Sequence, residues 1–572
     1  VKGDGKFRDN ISFVGGQTIK EANETVIDLL SEKSLLMANK KYFHSVSTCW
    51  RHKIPLFYRA TPQWFISMKK SDLLENSESM IEEINWLPDW GKSRISAMMS
   101  DRPDWCVSRQ RTWGVPIPLV IHKETGELHK DTLEIIDRIA KKVETEGVEA
   151  WFSEDIKNVL DKDYEEYEKV TDILDVWFDS GVTHNCVLKE NENLNYPADL
   201  YLEGSDQHRG WFQSSLLSSV AMNKDSPYRT ALTHGFVVDS KGKKMSKSLG
   251  NVISPQSVWN KRGAEILRAW VASTDFRNEM NFSEEILERT SDSYRRIRNT
   301  IRFLISNLDD FDLKNDDLDL SKYTEIDKWI IEKANDLQEQ IKLDYDNYEI
   351  HLAFQKILSF CTNELGSFYL DIIKDRLYTS KKDGAARKSS QFAIYHVLNG
   401  LIRWIAPILS YTAEEAYQEF KKDKSSVFLL EWYEDWPKFE TSINDETWEL
   451  LLLMKTEVNK YLEEKRNTGE IGSSLEAELD LECNNKIFMQ LNEISNELKY
   501  LFITSKVNLT LKEEENFNSE IPGLSISIKS TDLEKCARCW HHVESLVSYG
   551  EDNICLRCNE NITGKGETRF FI

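Results

Sequence analysis

Near its C-terminal end the sequence reads Cys536-x-x-Cys539, then fifteen residues, then Cys555-x-x-Cys558. Four thiolates on two tight knuckles can close a tetrahedron around one metal ion, and this spacing is that of zinc ribbons. Because every ligand position is sulfur, no coordination site stays open for a reacting water, so the expected Zn2+ is structural. It organises a segment too small to fold alone. The other cysteines, Cys49, Cys106, Cys186, Cys361 and Cys483, stand singly, which is no disulfide framework and fits a reducing cytoplasm. Cys49-x-x-His52 has ligand spacing but lacks a second pair, and reads as structural. Trp540, His541 and His542 follow the first knuckle; Trp540 can stack on an unpaired base or pack against the ribbon.

With 572 residues the chain has room for about three or four domains. Its 73 Lys and Arg against 96 Asp and Glu leave a net charge of −23, so attraction of the whole molecule to a polyanion is disfavoured and any nucleic-acid contact must be local. Apolar residues at 40% and charged residues at 30% describe a globular protein. No uncharged apolar run reaches the roughly 18 residues of a membrane span.

The first 300 or so residues mix short β-like runs with helices. DLYLEG (199 to 204) and ALTHGFVVD (231 to 239) are each followed by a loop and a helical pattern, as where parallel strands end in a doubly wound α/β sheet. From about Ser283 the period becomes helical: Ile286, Thr290, Tyr294, Ile297, Ile301, Leu304 and Leu308 share one face. Phe354, Ile357, Cys361, Leu365, Phe368 and Ile372 repeat it, as do Phe392, Tyr395, Leu398, Ile402, Ile405 and Leu409, so a helical bundle is expected. The acidic stretch from 309 to 320 reads as a solvated loop, and Pro407 marks a helix end. Beyond Asp445 come one more helix, a break, and alternation in SLEAELDLE, which suggest a small mixed module before the cysteines.

Two segments carry the chemistry of charge. Lys241, Lys243, Lys244 and Lys247 fall within seven residues, with Gly242, just after a strand. Such a loop can close over a polyphosphate and stabilise charge developing on its oxygens. Glu203-Gly204-Ser205-Asp206-Gln207-His208 lies at a strand end: Gly204 permits close backbone approach, Glu203 and Asp206 offer acceptors to ribose hydroxyls or an ammonium, and Gln207 and His208 offer donors.

The string KMSKSLGNVISP (244 to 255) resembles the signature loop of class I aminoacyl-tRNA synthetases. WCVSRQRTWGVPIP (105 to 118), LDVWFDSG (174 to 181) and YLEGSDQHRGWFQSSL (201 to 216) resemble, in that order, the large isoleucyl, valyl and leucyl subgroup. The cysteine quartet, RRIRNTIRFL (295 to 304) and SFYLDIIKDRLYT (367 to 379) are most similar to its bacterial isoleucyl branch. The resemblance runs from Val1 to Ile572.

It implies an α/β chain organised as the trailing part of an inserted editing domain (1 to 70), the second half of a Rossmann-like catalytic domain (71 to 282), a helical anticodon-binding domain (283 to 440), a junction module (441 to 530) and a zinc-binding tail (531 to 572). It also implies activation of L-isoleucine by ATP with Mg2+ and transfer to tRNA(Ile), by a monomeric cytoplasmic enzyme. Lys244 and Lys247 take the catalytic role; Glu203, Gly204, Asp206, Gln207, His208 and Lys247 line the adenylate and ATP site; Cys536, Cys539, Cys555 and Cys558 hold the metal. Asp175, Trp177, Asp179 and Ser180 rank second at that site, and Arg109, Arg111 and Trp113 read as packing residues. Arg295, Arg298 and Arg302, one helical turn apart, form a candidate row for tRNA phosphates, with Trp540 beside them in role; a solvated helix face is the competing reading. Lys381, Lys382, Arg387 and Lys388 form a second basic group that surface solubility explains equally well.

The family's histidine signature does not occur here, and Thr233-His234-Gly235 stands in the wrong place to replace it. The expectation is therefore the C-terminal part of a longer enzyme. Two rivals stay open: a valyl or leucyl relative, and a non-catalytic tRNA-binding protein that keeps the bundle and the zinc module.

Overall fold

The computed structural model describes residues 1–49, 52–160, 162–246, 250–316, 319, 322–512 and 516–572. Two compact units divide it, Val1–Leu232 and Thr233–Ile572.

In the first unit, helix α1 (Ile19–Glu32) starts on a capping box in which Thr18 and Glu21 satisfy each other's backbone N–H groups. The core gathers around α2 (Leu73–Glu83), β1 (Asn85–Leu87), α3 (Trp90–Met99), α4 (Thr132–Glu146), α5 (Val176–Gly181), β2 (Ala198–Gly204), α6 (Trp211–Asn223) and β3 (Tyr228–His234). The three strands form one sheet in the order β1-β3-β2, with β1 parallel to β3. Ala198 N–H donates to Pro227 O, so β2 and β3 begin side by side across the crossover helix α6. That helix is buried on all sides from Phe212 to Val220, and three of its buried serines, Ser214, Ser218 and Ser219, satisfy their hydroxyls on backbone carbonyls. Ile81, Trp86, Ile95, Met99, Phe212, Leu216 and Tyr228 make up the core, while α4 packs Ile135 and Ile139 on a smaller cluster around Trp151.

The second unit opens with β4 (Val237–Val238), paired in parallel with β5 (Met280–Asn281); α7 (Pro255–Arg262) and α8 (Ala264–Ser273) lie between them in the chain. Gly235 sits where any Cβ would fall 1.9 Å from the Asn278 carbonyl oxygen, so only glycine lets the two segments meet. The bundle follows: α9 (Glu284–Ser306), α10 (Glu325–Asp346), α11 (Ile350–Phe360), α12 (Leu370–Thr379), α13 (Ala385–Ile405), α14 (Ser410–Lys421) and α15 (Asp445–Asn467). The expected stripe of α9 is its packed face: Thr290, Ile297, Ile301 and Leu304 are buried on it. Ser283 caps it by accepting the Ile286 N–H. Between α11 and α12 the chain runs as a π-helix, Cys361–Tyr369, which the sequence periodicity does not distinguish from α. The acidic loop holds one short turn, Leu313–Asp316, and partly lies outside the described residues.

One carboxylate ties three bundle helices. Asp327 of α10 accepts from both terminal nitrogens of Arg376 (2.7 and 2.8 Å), from Tyr369 Oη (2.6 Å), from Thr324 Oγ1 (2.8 Å) and from Ser389 Oγ. Both Asp327 and Arg376 are buried to 1% exposure, a placement tolerable only because nearly every polar atom finds a partner.

A three-stranded sheet then forms from β6 (Ala477–Cys483), β7 (Lys506–Leu511) and β8 (Leu524–Ser530), with β6 central, parallel to β7 and antiparallel to β8. Helices α16 (Asn485–Leu491) and α17 (Leu498–Phe502) connect β6 to β7. Two hairpins follow, β9 (Glu534–Lys535) with β10 (His542–Val543) and β11 (Leu546–Tyr549) with β12 (Asp552–Cys555), and then α18 (Leu556–Thr563).

Candidate functional site

The two hairpins bring the cysteines together. At the first knuckle Trp540 N–H donates to Cys536 O and Cys536 N–H to His541 O, a turn tight enough that Trp540 takes φ 64°. At the second, Cys555 is both the last residue of β12 and the cap of α18, its sulfur accepting the Cys558 N–H at 3.4 Å. The ligand atoms of Cys536, Cys539, Cys555 and Cys558 all lie within 4.8 Å of one another, and all four residues are buried. Tetrahedral zinc–sulfur bonds of about 2.3 Å demand sulfur separations of about 3.8 Å; Cys539 and Cys555 stand 3.7 Å apart. The donor set fits a thiophilic divalent ion.

The module is anchored to the bundle by charge. Arg557, in the first turn of α18, reaches Asp375 of α12 with both terminal nitrogens, one at 2.8 Å. Arg569 adds a third contact at 3.0 Å and also binds Glu567. Burial alone would raise the Asp375 carboxyl, but the hydrogen bonds and charge of Arg557, with Arg569, hold it well below the usual carboxylate range. Glu497 accepts the backbone N–H groups of Phe570, Phe571 and Ile572, and Phe570 and Phe571 carbonyls accept from Glu325 and Ile326 on α10.

The lysine loop is built on a different plan. Lys247 lies outside the described residues. Lys241, Lys243 and Lys244 are exposed, and the Lys244 ammonium rests 3.3 Å above the Phe236 ring. What is fixed is the base. Asp239 accepts the N–H groups of Lys241 (2.9 Å) and Lys243 (3.0 Å) and the side chain of Asn251 (3.0 Å). Asn251 in turn accepts the Ser246 N–H at 3.0 Å. The Asn251 hydrogen bond, then those from the Lys243 and Lys241 backbone, keep the Asp239 carboxyl below its ordinary pKa. The turn closes through Gly242 N–H on Asp239 O, with Gly242 at φ 71°. Asp239 and Asn251 escaped the sequence reading, although an Asp three residues before a Gly is an Asx-turn signal.

In the first unit Gly204 ends β2 and a short 3-10 turn, Ser205–Arg209, leads into α6. Glu203 and Asp206 are exposed; among the described residues their hydrogen bonds are to the neighbouring Gly204 N–H and Gln207 side chain. Gln207 faces the fold: its Oε1 accepts the Trp211 N–H at 3.0 Å and so caps α6. His208 also faces inward, fully buried between Trp86, Trp90 and Phe212, with Nδ1 donating to Ser205 O. Burial pushes its pKa down. Gly210 has no room for a Cβ, which would fall 2.7 Å from Gln207 Oε1 and 2.9 Å from the Trp177 ring.

The second-rank residues are structural in their contacts. Asp175 is buried, caps α5 by accepting the Trp177 N–H at 2.7 Å, and forms an ion pair with Arg109. Burial, with Asp175 nearby, raises the Asp179 carboxyl, and Ser180 O accepts from Trp211 Nε1 at 2.9 Å. Trp113 departs from the packing expectation: it is 78% exposed.

The basic row on α9 is less cationic than its sequence. Arg295 pairs with Asp292 and Glu288, and Arg298 forms a fork with Glu415 of α14 at 3.0 and 3.1 Å. Arg302 is exposed and has no carboxylate partner among the described residues. Arg387 and Lys382 share Asp310, and Lys381 donates to Gly564 O. Trp540 does not pack into the ribbon; it is 61% exposed beneath the Lys535 ammonium.

The sequence matches known families. Residues 18–283 match the tRNA synthetases class I (I, L, M and V), and residues 327–481 match the anticodon-binding domain of tRNA ligase; the chain belongs to the class I tRNA synthetases. Within that class, the isoleucine–tRNA ligase of Saccharophagus degradans is 49% identical over 576 residues, covering 100% of this chain and 62% of its own length. That of Francisella philomiragia is 50% identical over 580 residues, with coverage of 100% and 62%. That of Coxiella burnetii strain CbuK_Q154 is 50% identical over 573 residues, with 99% and 61%. The chain thus spans about three-fifths of the length of these curated relatives. No helix among the described residues is long and apolar enough to cross a membrane.

Proposed function

We propose that the chain belongs to an ATP-dependent isoleucine–tRNA ligase that forms isoleucyl-adenylate and transfers isoleucine to tRNA(Ile). The reading rests on one observation: near 50% identity to isoleucine–tRNA ligases is maintained from end to end. In the first step the isoleucine carboxylate attacks the α-phosphate of magnesium-bound ATP and pyrophosphate leaves. The Lys244 ammonium, exposed on a loop whose base is fixed, stabilises the charge that develops; Lys247 shares that role. Glu203 and Asp206, carboxylates without a committed partner beyond their immediate neighbours, hold the ammonium or ribose of the adenylate, with Gly204 allowing close approach. Gln207 and His208 support this from beneath, one capping α6 and one filling the core. In the second step a terminal ribose hydroxyl of the tRNA attacks the activated carbonyl.

In this reading residues 71 to 282 belong to a Rossmann-like catalytic domain preceded by part of an inserted editing domain. The bundle meets the anticodon arm, with Arg302 the least neutralised of the candidate row Arg295, Arg298 and Arg302, and Trp540 available to stack on a base. Zn2+ in the cysteine quartet supplies a cross-link and no reaction chemistry. Isoleucine-dependent ATP–pyrophosphate exchange by the gene product that contains these residues tests the proposal. Exchange with isoleucine, reduced about 100-fold in Lys244→Ala, is expected. Equal exchange with valine or leucine, or none with any amino acid, overturns it.

A further inference from the structure

A cavity of about 180 Å³ opens beside the cysteine quartet, and Cys555 lines it together with Lys499, Tyr500, His541 and Arg557. Its walls come from two parts of the chain: α17 of the junction module, and the two knuckles. The Tyr500 ring is the hub. Arg569 lies 3.2 Å from its centroid, Lys499 5.0 Å and Arg557 5.3 Å, and the His541 ring meets it edge-on at 5.7 Å.

Three cations around one ring need anions, and two have them. Arg557 and Arg569 bind Asp375, and Arg569 also binds Glu567. Lys499 has no carboxylate partner among the described residues. His541 presents a second deficit: it is 7% exposed, and neither ring nitrogen has a hydrogen-bond partner. Half-buried ammonium groups and buried imidazole nitrogens are costly when left this way. Ser505, Ser545 and Glu544 also line the cavity, but Glu544 is paired with Lys506, and the other polar wall is the sulfur cluster, through Cys555. Four thiolates around a divalent ion carry two net negative charges, also buried, and also in need of compensation. The loaded cluster therefore supplies the negative charge and the acceptors that Lys499 and His541 lack. An external anion competes poorly here, since it would enter beside that same negative centre.

We infer that Lys499 and His541 are positioning residues of the metal centre, Lys499 balancing the charge of the loaded cluster across the cavity and a His541 ring N–H donating to one of its sulfurs. This rests on the metal reading above. Its consequence is that the metal site is not contained in the ribbon: a residue contributed by α17, upstream of both hairpins, helps set how tightly the ion is held.

The test uses the whole 572-residue chain loaded with Zn2+ or Co2+. Metal affinity is measured by competition with a chromophoric chelator, and the Co2+–thiolate charge-transfer band reports the sulfurs. Lys499→Met and His541→Phe are each expected to weaken binding about 10-fold, the second also shifting the Co2+ band. Lys499→Arg keeps the charge and should stay near wild type. Lys512→Met, whose lysine pairs with Glu482 away from this cavity, should not change binding. Unaltered affinity in folded Lys499→Met and His541→Phe overturns the inference while leaving the metal reading intact. A wild-type chain that takes up neither ion overturns both. Thermal melting checks folding, and if His541→Phe unfolds, the Met and Arg variants of Lys499 decide.

Discussion

In the proposed reading, the cysteine module and the lysine loop are opposite solutions to holding a charged ligand. In the module the ligand atoms are buried, preset within bonding range of one ion, and braced through Arg557 to a carboxylate on another helix. In the loop the base is fixed by Asp239 and Asn251, while Lys241, Lys243 and Lys244 are exposed, the Lys244 ammonium over the Phe236 ring. A ligand that stays for the life of the protein is served by burial, because desolvated donors bind tightly and release slowly. A ligand that arrives and leaves at each turnover needs charges that can move, on a hinge that returns them to the same place.

The largest effect should come from the buried site. Structural zinc contributes about 10–16 kcal/mol of binding free energy in small domains, so Cys558→Ser should abolish stoichiometric metal and release residues 531 to 572 to limited proteolysis, with the bundle still folded. A chain that keeps its metal and its protease resistance would erase the contrast. Next is the anchor. Asp375→Ala leaves the largely buried Arg557 and Arg569 with only Glu567 between them, and should cost about 3 kcal/mol in urea unfolding of the tail.

The same anchor has a pH signature. The folded Asp375 carboxyl lies below its unfolded value, so its stabilisation is complete above about pH 3.9 and is lost as pH falls below that toward the depressed folded value. Tail release followed by proteolysis across this window should show an acid step that Asp375→Asn lacks. For the loop, Asp239→Ala removes the brace and should lower the exchange rate about 10-fold with little change in the KM for ATP. The smallest effect is expected at its rim: Lys241→Ala should change exchange by about twofold or less, as for an exposed charge. If Lys241→Ala proves as damaging as Asp239→Ala, the distinction between fixed base and free tip fails.

How much of this the sequence discloses depends on the range of the interaction. The quartet is legible because each knuckle is a local turn whose residues are three apart, and the face of α9 is legible because helical periodicity decides which of its side chains are buried. The Asp375–Arg557 anchor is not, since its partners are 182 residues apart and neither has a local signature. The π-helix at Cys361–Tyr369 is hidden for another reason: Cys361, Leu365 and Phe368 are all buried, so the apolar spacing is the same as an α-helix would give. At the strand end, Glu203 and Gln207 look alike as hydrogen-bonding residues, and only the structure distinguishes the exposed carboxylate from the amide that caps α6. The arginines of α9 show the limit of counting charges, because Glu415, which neutralises Arg298, comes from a distant helix.

Asp375 and Arg376 are neighbours joined by a single peptide unit, yet they serve different structures. The first receives the guanidinium groups of the tail, and the second holds the central carboxylate of the bundle. The ion pairs at the root of the tail and the hub where α10, α12 and α13 converge therefore sit one residue apart on α12, so a substitution that displaces the backbone there would disturb both at once.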